Sequence, residues 1–355
     1  MFKIKIRPEW LMARHGVAAV PLPTILNLLG EIEKSGHLVG ACRACGLSYR
    51  HGWGLLREFE STFGVKLLIT QRRQGTKLSP FAKRLLLANM RIQARLAPTL
   101  DSLASELEAE LERSLPDRKP ILRIHASHGF AVEALKDRLA HSRVTLDLKY
   151  EGSKEALAAL ARGSCEMAGF HVPLGPMREP VLEQYGTVLR LKQYQFAHLA
   201  VRTQGIIVAP GNPKNIRTLA DFVRKDVKIV NRQIGSGTRT LLDLLLAEAN
   251  IDPAKISGYE NSEFTHAAVA AYIASGMADA GFGVEPGARM FGLDFIPVMK
   301  EEYFFGFHSS AQKLPAVSET LAIMHSDEFR EIVNRIPGYD GARCGEILSG
   351  KEAFG

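Results

Sequence analysis

The sequence predicts an α/β protein with a helical N-terminal part and a change of pattern near residue 120. In the first 113 residues, apolar side chains recur mainly at helical spacing. From Ile121 onward, short apolar runs of strand length alternate with helical stretches, an order typical of parallel β-α-β units. Between the two patterns lies the polar segment Leu115-Pro-Asp-Arg-Lys-Pro120, which predicts a linker.

Length and composition limit the class of protein. A chain of 355 residues is too long for one ordinary core, so two or three domains are expected. Hydrophobic residues make up 46% and charged residues 23%, which is typical of folded soluble proteins. Four cysteines favour a reducing compartment. The first 20 residues include five charged ones, and no window approaches the about 18 apolar residues of a membrane span. We therefore expect a cytoplasmic protein with no membrane contact.

Residues 22–60 predict three helices with recognisable ends. Thr24 is a candidate cap for the first helix, Gly36 ends it, and Ser48 is a candidate cap for the third. The turn between the second and third helices contains Gly46, and two helices joined by such a short turn form a helix-turn-helix motif. The expected spans are Thr24–Ser35, Leu38–Cys45 and Tyr49–Thr62.

A basic segment follows the three helices. The runs Lys66-Leu-Leu-Ile-Thr and Thr76-Lys-Leu, separated by Arg72-Arg-Gln-Gly, predict strand, turn and strand, which is a wing. Residues 66–95 carry eight Lys or Arg and no acidic residue, which favours a polyanionic partner, with a merely solvated face as the alternative. A long helix, Phe81–Arg113, comes next, and Pro98 predicts a kink or a break within it.

The third helix carries the candidate DNA contacts. In a helix-turn-helix, the N-terminal residues of the second helix meet base edges in the major groove of double-stranded DNA. Gly52, Leu56 and Phe59 fall on the opposite side and are expected to pack inward. A plain three-helix core with a polar face is the alternative. The candidate DNA-binding residues, the last three of them on the wing, are Ser48, Tyr49, Arg50, His51, Trp53, Arg57, Arg72, Arg73 and Lys77.

Two runs and one tryptophan in this region resemble those of a known regulator family: Leu28-Leu-Gly-Glu-Ile-Glu-Lys-Ser-Gly-His-Leu, Ala44-Cys-Gly-Leu-Ser-Tyr-Arg, and Trp53. Residues 1–80 resemble the winged helix-turn-helix of the molybdate-responsive ModE regulators and, more loosely, that of LysR-type regulators. The resemblance implies one helix in the groove and a homodimer or homotetramer held by the helix Phe81–Arg113. Cys42-Arg-Ala-Cys45 departs from the family pattern; two buried thiols are favoured over half of a zinc site.

Three glycine-containing turns in the second half are suited to binding an oxyanion. Each follows a predicted strand and opens a helix, where backbone N–H groups, hydroxyls and the helix N-terminus offer positive potential. Open α/β sheets bind ligands at this edge. The turns are His125-Ala-Ser127-His128-Gly129, Glu151-Gly-Ser153-Lys154, and Asn231-Arg-Gln-Ile-Gly-Ser-Gly-Thr-Arg239.

The second half also resembles a known domain family, through Glu166-Met-Ala-Gly-Phe-His171-Val-Pro, Asn231-Arg-Gln-Ile-Gly-Ser-Gly-Thr-Arg239 and Ala278-Asp-Ala-Gly-Phe-Gly283. From Ile121 to about His308 it is similar to the periplasmic-binding-protein-like domain found in molybdenum-cofactor proteins and helix-turn-helix regulators. The resemblance implies a type II architecture of two lobes that close on molybdate, tungstate or the molybdenum cofactor.

The candidate ligand residues come from these turns and matches. His171 has the alternative of a structural histidine. Arg239 has the alternative of an i,i+4 surface pair with Asp243. Asp279 and Glu285 are weaker candidates that have turn-capping as their alternative. The candidate ligand-binding residues are Ser127, His128, Ser153, His171, Asn231, Arg232, Ser236, Gly237, Thr238 and Arg239.

Together these patterns predict three parts: a winged helix-turn-helix over residues 1–80, a dimerising linker helix and hinge over 81–120, and a two-lobed ligand-binding domain over 121–355. We expect a ligand-responsive transcription regulator that senses a small anion. No nucleophile elbow, phosphate-binding loop or complete metal-ligand set is present in the sequence, so no catalysis, catalytic cofactor or metal is expected. The alternative is an enzyme or a cofactor-handling or storage protein with a regulatory N-terminal domain.

Overall fold

The computed structural model describes residues 3–15, 17–71, 75–116, 119–186 and 192–355. The chain divides into two compact units, residues 7–93 and residues 1–6 with 94–355. One helix, α4 (Pro80–Arg113), contributes to both units and continues through Pro98. No helix in the described ranges is long and apolar enough to cross a membrane.

The N-terminal unit has the predicted order of helices, turn and wing. A short hairpin, β1 and β2, precedes them and was not predicted. The elements of the N-terminal unit are β1 (Leu11–Arg14), β2 (Val17–Pro21), α1 (Pro23–Ser35), α2 (Leu38–Ala44), α3 (Tyr49–Phe63), β3 (Leu68–Gln71), β4 (Gly75–Leu78) and the start of α4.

The helix ends follow local chemistry, with one correction. Gly36 ends α1 with φ of 73°, and its N–H donates to the Ile32 carbonyl at 2.8 Å. Ser48 caps α3 by accepting a hydrogen bond from the His51 N–H at 3.2 Å. The prediction that Thr24 caps α1 is wrong. Pro23 occupies the first turn, where its missing N–H costs nothing, and Thr24 lies inside the helix.

Gly52 and Gly54 in α3 give a matched test of the packing between α2 and α3. A methyl group at Gly52 would collide with Sγ of the buried Cys42, whereas one at Gly54 would meet no atom within 4 Å. Gly52→Ala is therefore expected to lower the free energy of unfolding by about 1–3 kcal/mol. Gly54→Ala should raise it by about 0.5–1 kcal/mol, because alanine loses less backbone entropy in a helix. Urea unfolding of both variants measures this, and shifts of the same sign would contradict the packing.

The C-terminal unit contains two lobes, as the sequence predicts. Lobe 1 is built on β5, β6 and β7, and lobe 2 on β9, β10 and β11. The unit's helices and strands are β5 (Ile121–Ala126), α5 (Phe130–Leu139), β6 (Thr145–Tyr150), α6 (Ser153–Ala161), β7 (Met167–Pro173), α7 (Arg178–Tyr185), β8 (Tyr194–Val208), β9 (Ile229–Arg232), α8 (Gly237–Glu248), β10 (Ser262–Glu263), α9 (His266–Ala274), β11 (Ala280–Val284), α10 (Glu285–Met290), β12 (Asp294–His308), α11 (Pro315–His325), α12 (Asp327–Asn334), β13 (Tyr339–Asp340), β14 (Ile347–Ser349) and α13 (Gly350–Phe354).

The sheet confirms parallel pairing within each lobe but not between them. Strands β6, β5 and β7 are parallel neighbours, and so are β10, β9 and β11. The central strands β8 and β12 are antiparallel, each 15 residues long, and run through both lobes. From the sequence, a strand is predicted here only over Gly205–Ala209, and this segment is only the end of β8. The polar residues Arg202 and Gln204 interrupt its apolar pattern and hide its length.

Candidate functional site

The polar face of α3 carries the candidate DNA contacts. Tyr49 leaves 52% of its side chain in solvent although it is aromatic. Gly52, Leu56 and Phe59 are buried on the opposite face, as predicted. The helix thus presents its N-terminal turn to a partner while its other face holds the core. The predicted residues of α3 and its cap that are exposed are Ser48, Tyr49, Arg50, His51 and Arg57.

Trp53 is half-buried and organises this face. Its ring lies parallel to that of Tyr49, with centroids 6.5 Å apart, and the Arg57 guanidinium lies 4.8 Å from the Trp53 ring centroid. The i,i+4 spacing of the three residues puts them in one row along the helix. Trp53 thereby fixes the directions of an aromatic and a cationic side chain that point to solvent.

The wing adds Lys77, which is exposed on β4. Arg72 and Arg73, the other predicted wing contacts, lie outside the described residues. Of the three predicted wing contacts, Lys77 is therefore the one that the structure places at the candidate interface.

The two cysteines near this helix pack in the hydrophobic core of the N-terminal unit. Cys42 is buried and Cys45 half-buried, both with free thiols. Burial raises the pKa of both thiols, which favours the neutral form. No group of three or more potential metal ligands occurs in the part of the chain that the structure describes.

The second candidate site is a cleft between the two lobes of the C-terminal unit. The space between its walls is about 370 Å³ when the open solvent at its mouth is included. Lobe 1 contributes residues that follow β5 and β6, and lobe 2 contributes the turn after β9 and the start of α9. Seven of the ten predicted ligand residues line it: Ser127, His128, His171, Arg232, Ser236, Gly237 and Thr238.

Ser153 belongs to a neighbouring cavity. Its Oγ accepts a weak hydrogen bond from the His171 N–H at 3.4 Å. That cavity has a volume of about 260 Å³ without the open solvent at its mouth, and it shares His171 and Gly237 with the cleft. The two spaces are therefore adjacent, and the second also offers Lys154, Gln184 and Tyr185.

Two of the predicted ligand residues, Asn231 and Arg239, line neither the cleft nor the neighbouring cavity. The Arg239 guanidinium binds Asp243 at 2.9 Å, which is the i,i+4 pair of the alternative, and lies 4.1 Å from the Tyr259 ring centroid; unlike a surface pair, its side chain is buried. Asn231 is buried, and its Oδ1 accepts the N–H of Arg232 at 2.9 Å. Both residues shape the turn after β9 rather than its ligand-facing side.

Asp279 and Glu285, the two weaker ligand candidates, make structural contacts instead. Asp279 accepts the Lys228 N–H at 2.9 Å. Glu285 pairs with Arg289 at 2.8 Å on one turn of α10. Neither residue lines the cleft.

The polar residues of the central strands were not among the candidate site residues predicted from the sequence. Arg202 is fully buried, and its Nε donates to Glu301 of β12. Gln204 donates at 2.8 Å to the same carboxylate oxygen and at 2.8 Å to Oγ1 of Thr238 in lobe 2. This network lies where β8 and β12 pass from one lobe to the other. Its signal in the sequence was an Arg and a Gln within an otherwise apolar run.

Several buried polar atoms around the cleft lack partners. Nη1 of Arg202, Nε of Arg232 and Nε2 of His171 make no hydrogen bond to any described residue. The same holds within the described ranges for Nδ1 of His128 and both ring nitrogens of His266. The two arginine nitrogens are hydrogen-bond donors, as is one ring nitrogen of His266, and a buried unsatisfied donor costs about 1–3 kcal/mol. So many unpaired donors around one cavity fit an acceptor-rich guest.

The charges at the cleft do not cancel. Arg202 and Arg232 are both buried, and Glu301 is the carboxylate paired with Arg202. Glu151, another acid at the cleft, lies 3.2 Å from Lys149. Burial, together with the charge of Arg202, lowers the pKa of Arg232 to about 9. One positive charge is therefore held in the cleft against an unfavourable environment, which an anion would relieve.

Two of the cleft histidines, His171 and His266, are held in the neutral form at pH 7. Burial holds the pKa of His171 well below its usual range, and the charges of Arg202 and Arg232 lower it further. The pKa of His266 is lowered by burial and by the same two arginines. Each ring therefore offers one N–H donor, and Nδ1 of His171 is 3.0 Å from the Ser127 hydroxyl.

One family model matches more than half of the chain. Residues 134–325 match the family model described as PBP superfamily domain. The uncharacterised Bacillus subtilis protein YvgK is 30% identical over 265 residues, which cover 73% of this chain and 82% of that protein. An uncharacterised Clostridium pasteurianum protein, from the 5′ region of a 2Fe-2S ferredoxin gene, is 34% identical over 110 residues; these cover 31% of this chain and 97% of that protein.

Solved structures show a weaker likeness. One match is full-length HypT from Salmonella typhimurium, a hypochlorite-specific LysR-type transcriptional regulator. The match has a TM-score of 0.43 and 15% identity, and it covers 84% of this chain and 94% of that one. Values this low carry no functional conclusion.

Proposed function

The chain belongs to the PBP superfamily, and on that premise we propose that it is a ligand-responsive, DNA-binding transcription regulator that senses a small anion. One observation carries the ligand class: Arg232 is buried, charged and without an ionic partner among the described residues, in a cleft ringed by unpaired donors. Such a site costs stability unless an anion fills it.

Molybdate and tungstate fit the chemistry of the cleft. A tetrahedral oxyanion accepts hydrogen bonds through four oxygens, and the cleft offers guanidinium, imidazole and hydroxyl donors around one space. The molybdenum cofactor is the larger ligand of the same class. Its organic part would extend into the adjacent cavity lined by Lys154, Gln184 and Tyr185.

The DNA-binding part of the proposal rests on α3 and the wing. An exposed N-terminal turn with Tyr49, Arg50 and His51 suits the major groove, and Lys77 suits a phosphate. Effector binding would then alter DNA binding by favouring one angle between the lobes.

We also propose that the protein is a homodimer or homotetramer. Four leucines of α4 keep 36–45% of their surface exposed, at successive spacings of seven, four and four residues: Leu96, Leu103, Leu107 and Leu111. A second copy of α4 would bury this stripe and place two recognition helices on one DNA site.

Native mass spectrometry of the full-length protein, purified from its own host, tests the ligand class. We expect an added mass that corresponds to an oxyanion or to an oxyanion-bearing organic molecule, on an even number of subunits. A bound cation or an uncharged metabolite would overturn the proposal. Selection of binding sites from random duplex DNA tests the proposed DNA binding, and failure to enrich any sequence would overturn that part of the proposal.

Anion binding is expected to draw protons into the protein. An anion favours the protonated forms of His171 and His266, so their depressed pKa values rise in the complex. Between the free and bound pKa values the complex holds more protons, and affinity therefore increases as pH falls through that window. Calorimetry with tungstate in two buffers of different ionisation enthalpy, at pH 6.5 and 7.5, measures the uptake.

The expected uptake is larger at pH 6.5, and His266→Gln should reduce it. His308→Gln is the control, because that histidine is exposed and contacts Ser310. Net proton release at pH 6.5 would contradict the assignment of the anion to the arginine and histidine cluster.

A further inference from the structure

Helix α4 is attached to lobe 2 through the turn that follows β10. Two nitrogens of Arg95 donate to the buried carboxylate of Glu263. Two residues further, Oγ1 of Thr265 donates to the carbonyl of Ala94 at 3.0 Å. Both lobe 2 partners are nearly inaccessible, so this attachment is a specific contact rather than a solvated ion pair.

The next turns of α4 are attached to lobe 1. Ser102 accepts the N–H of Tyr150 at 3.1 Å, and Ser105 accepts that of Leu148 at 2.8 Å. Ser105 also donates to the Leu146 carbonyl at 2.6 Å. These serines satisfy the open edge of β6, which is the last strand of the sheet. One helix therefore connects both lobes, in addition to the strands β8 and β12.

Pro98 lies between the two attachments and explains one of them. In an α-helix the N–H of residue 98 would donate to the carbonyl of residue 94, but proline has no N–H. The Ala94 carbonyl thus lacks its helical partner, and the Thr265 hydroxyl supplies the missing donor. Thr265 also accepts the Ala268 N–H at 2.9 Å and so caps α9. A break in the helical hydrogen bonding of α4 is filled by the residue that starts α9.

The same turn of lobe 2 faces the cleft. Phe264 and His266, on either side of Thr265, line the cavity. The Phe264 carbonyl accepts a hydrogen bond from Nη2 of Arg232 at 2.8 Å. A movement of Arg232 on binding an anion therefore acts on the Phe264 carbonyl. The next residue is Thr265, whose side chain holds α4.

We propose that Pro98 is a hinge in α4 whose angle is set by the cleft, through the contacts of Glu263 and Thr265 with Arg95 and Ala94. A change in the angle between the lobes must either bend α4 at Pro98 or release the lobe 2 contacts, because the helix is held on both sides of the proline. Residues 80–93, which belong to the N-terminal unit, continue the same helix. This inference rests on the proposed function only for its anionic effector and its DNA readout.

A double-mutant cycle tests the hinge without any ligand. Thr265→Val removes the donor to Ala94, and Pro98→Ala restores the helical donor. Thr265→Val should lower the melting temperature of the full chain by about 2 °C more when Pro98 is present than in the Pro98→Ala variant, as expected for one hydrogen bond. The lost cap of α9 is common to both backgrounds and cancels. Thr265→Ser, which keeps the hydroxyl, is the control, and equal shifts in both backgrounds would overturn the proposal.

Hydrogen exchange with tungstate as the probe tests the link to the cleft. In the wild-type chain, saturating tungstate should change amide exchange at least threefold in residues 94–105. Pro98→Ala should bind tungstate within threefold of wild type by calorimetry but lose that change. Pro315→Ala is the control, because Pro315 lies in the first turn of α11, where no N–H is needed.

The outcomes separate the two proposals. If Pro98→Ala responds to tungstate as the wild type does, the hinge is refuted and the proposed function stands. If the wild-type chain binds no tungstate, that oxyanion is refuted as effector, and the double-mutant cycle alone decides the hinge.

Discussion

Replacing Arg232 by methionine is expected to weaken tungstate binding by about 30- to 1000-fold while raising the stability of the ligand-free protein. The guanidinium meets the anion in a desolvated cleft, where losing one charged partner costs about 2–4 kcal/mol. The stability gain has a separate cause. Arg232 is a buried charge without an ionic partner among the described residues, and methionine fills a similar volume without that cost. Calorimetry and thermal unfolding measure the two effects on the same sample.

Arg239→Met is the matched control, because Arg239 lies in the same turn but binds Asp243 and Tyr259. It should leave tungstate affinity unchanged and lower stability by about 1–3 kcal/mol, because the buried guanidinium bonds a carboxylate. Equal loss of affinity in the two variants, or unchanged affinity in Arg232→Met, would remove Arg232 from the binding site.

Replacing Arg50 by alanine is expected to weaken binding to the selected DNA site by about 5- to 150-fold and to relax its sequence preference. Arg50 lies in the exposed first turn of α3, where a bidentate contact to a base is worth about 1–3 kcal/mol. Lys77→Ala should act differently. A lost phosphate contact weakens binding to all sequences alike and lowers the salt dependence by about one ion.

Fluorescence anisotropy with the selected site and a scrambled duplex, over a range of salt, distinguishes the two effects. Arg335→Ala is the control, because it removes one exposed positive charge from α12's end, where Arg335 pairs with Glu331. If Arg335→Ala weakens binding as much as Arg50→Ala does, net charge rather than α3 determines affinity.

Local chemistry was enough to predict much of the fold and part of the site. Gly36 and Ser48 define helix ends, and the turns after strands place Ser127 and Ser236 near one another because strand ends of an open sheet share an edge. Arg232 and Thr238 follow from the same turn after β9.

The features that could not be predicted depend on contacts distant in the chain. Arg202 and Gln204 are conspicuous only once β12 is known to bring Glu301 beside them. The role of Arg239 depended on where its side chain points, which the competing partner Asp243 decides. Pro98 predicts a weak point in a helix, but only the fold brings Thr265 to the carbonyl that it leaves unpaired.

The most direct test of the account is the affinity of the full-length protein for its selected DNA site, measured by anisotropy with and without saturating tungstate. The account predicts a change in dissociation constant of about 5- to 150-fold in the wild type, the range of typical coupling free energies. At a tungstate concentration just sufficient to saturate the wild type, it predicts a much smaller change in Arg232→Met. The same DNA affinity with and without tungstate, in a wild-type protein that calorimetry shows to be loaded, would contradict it.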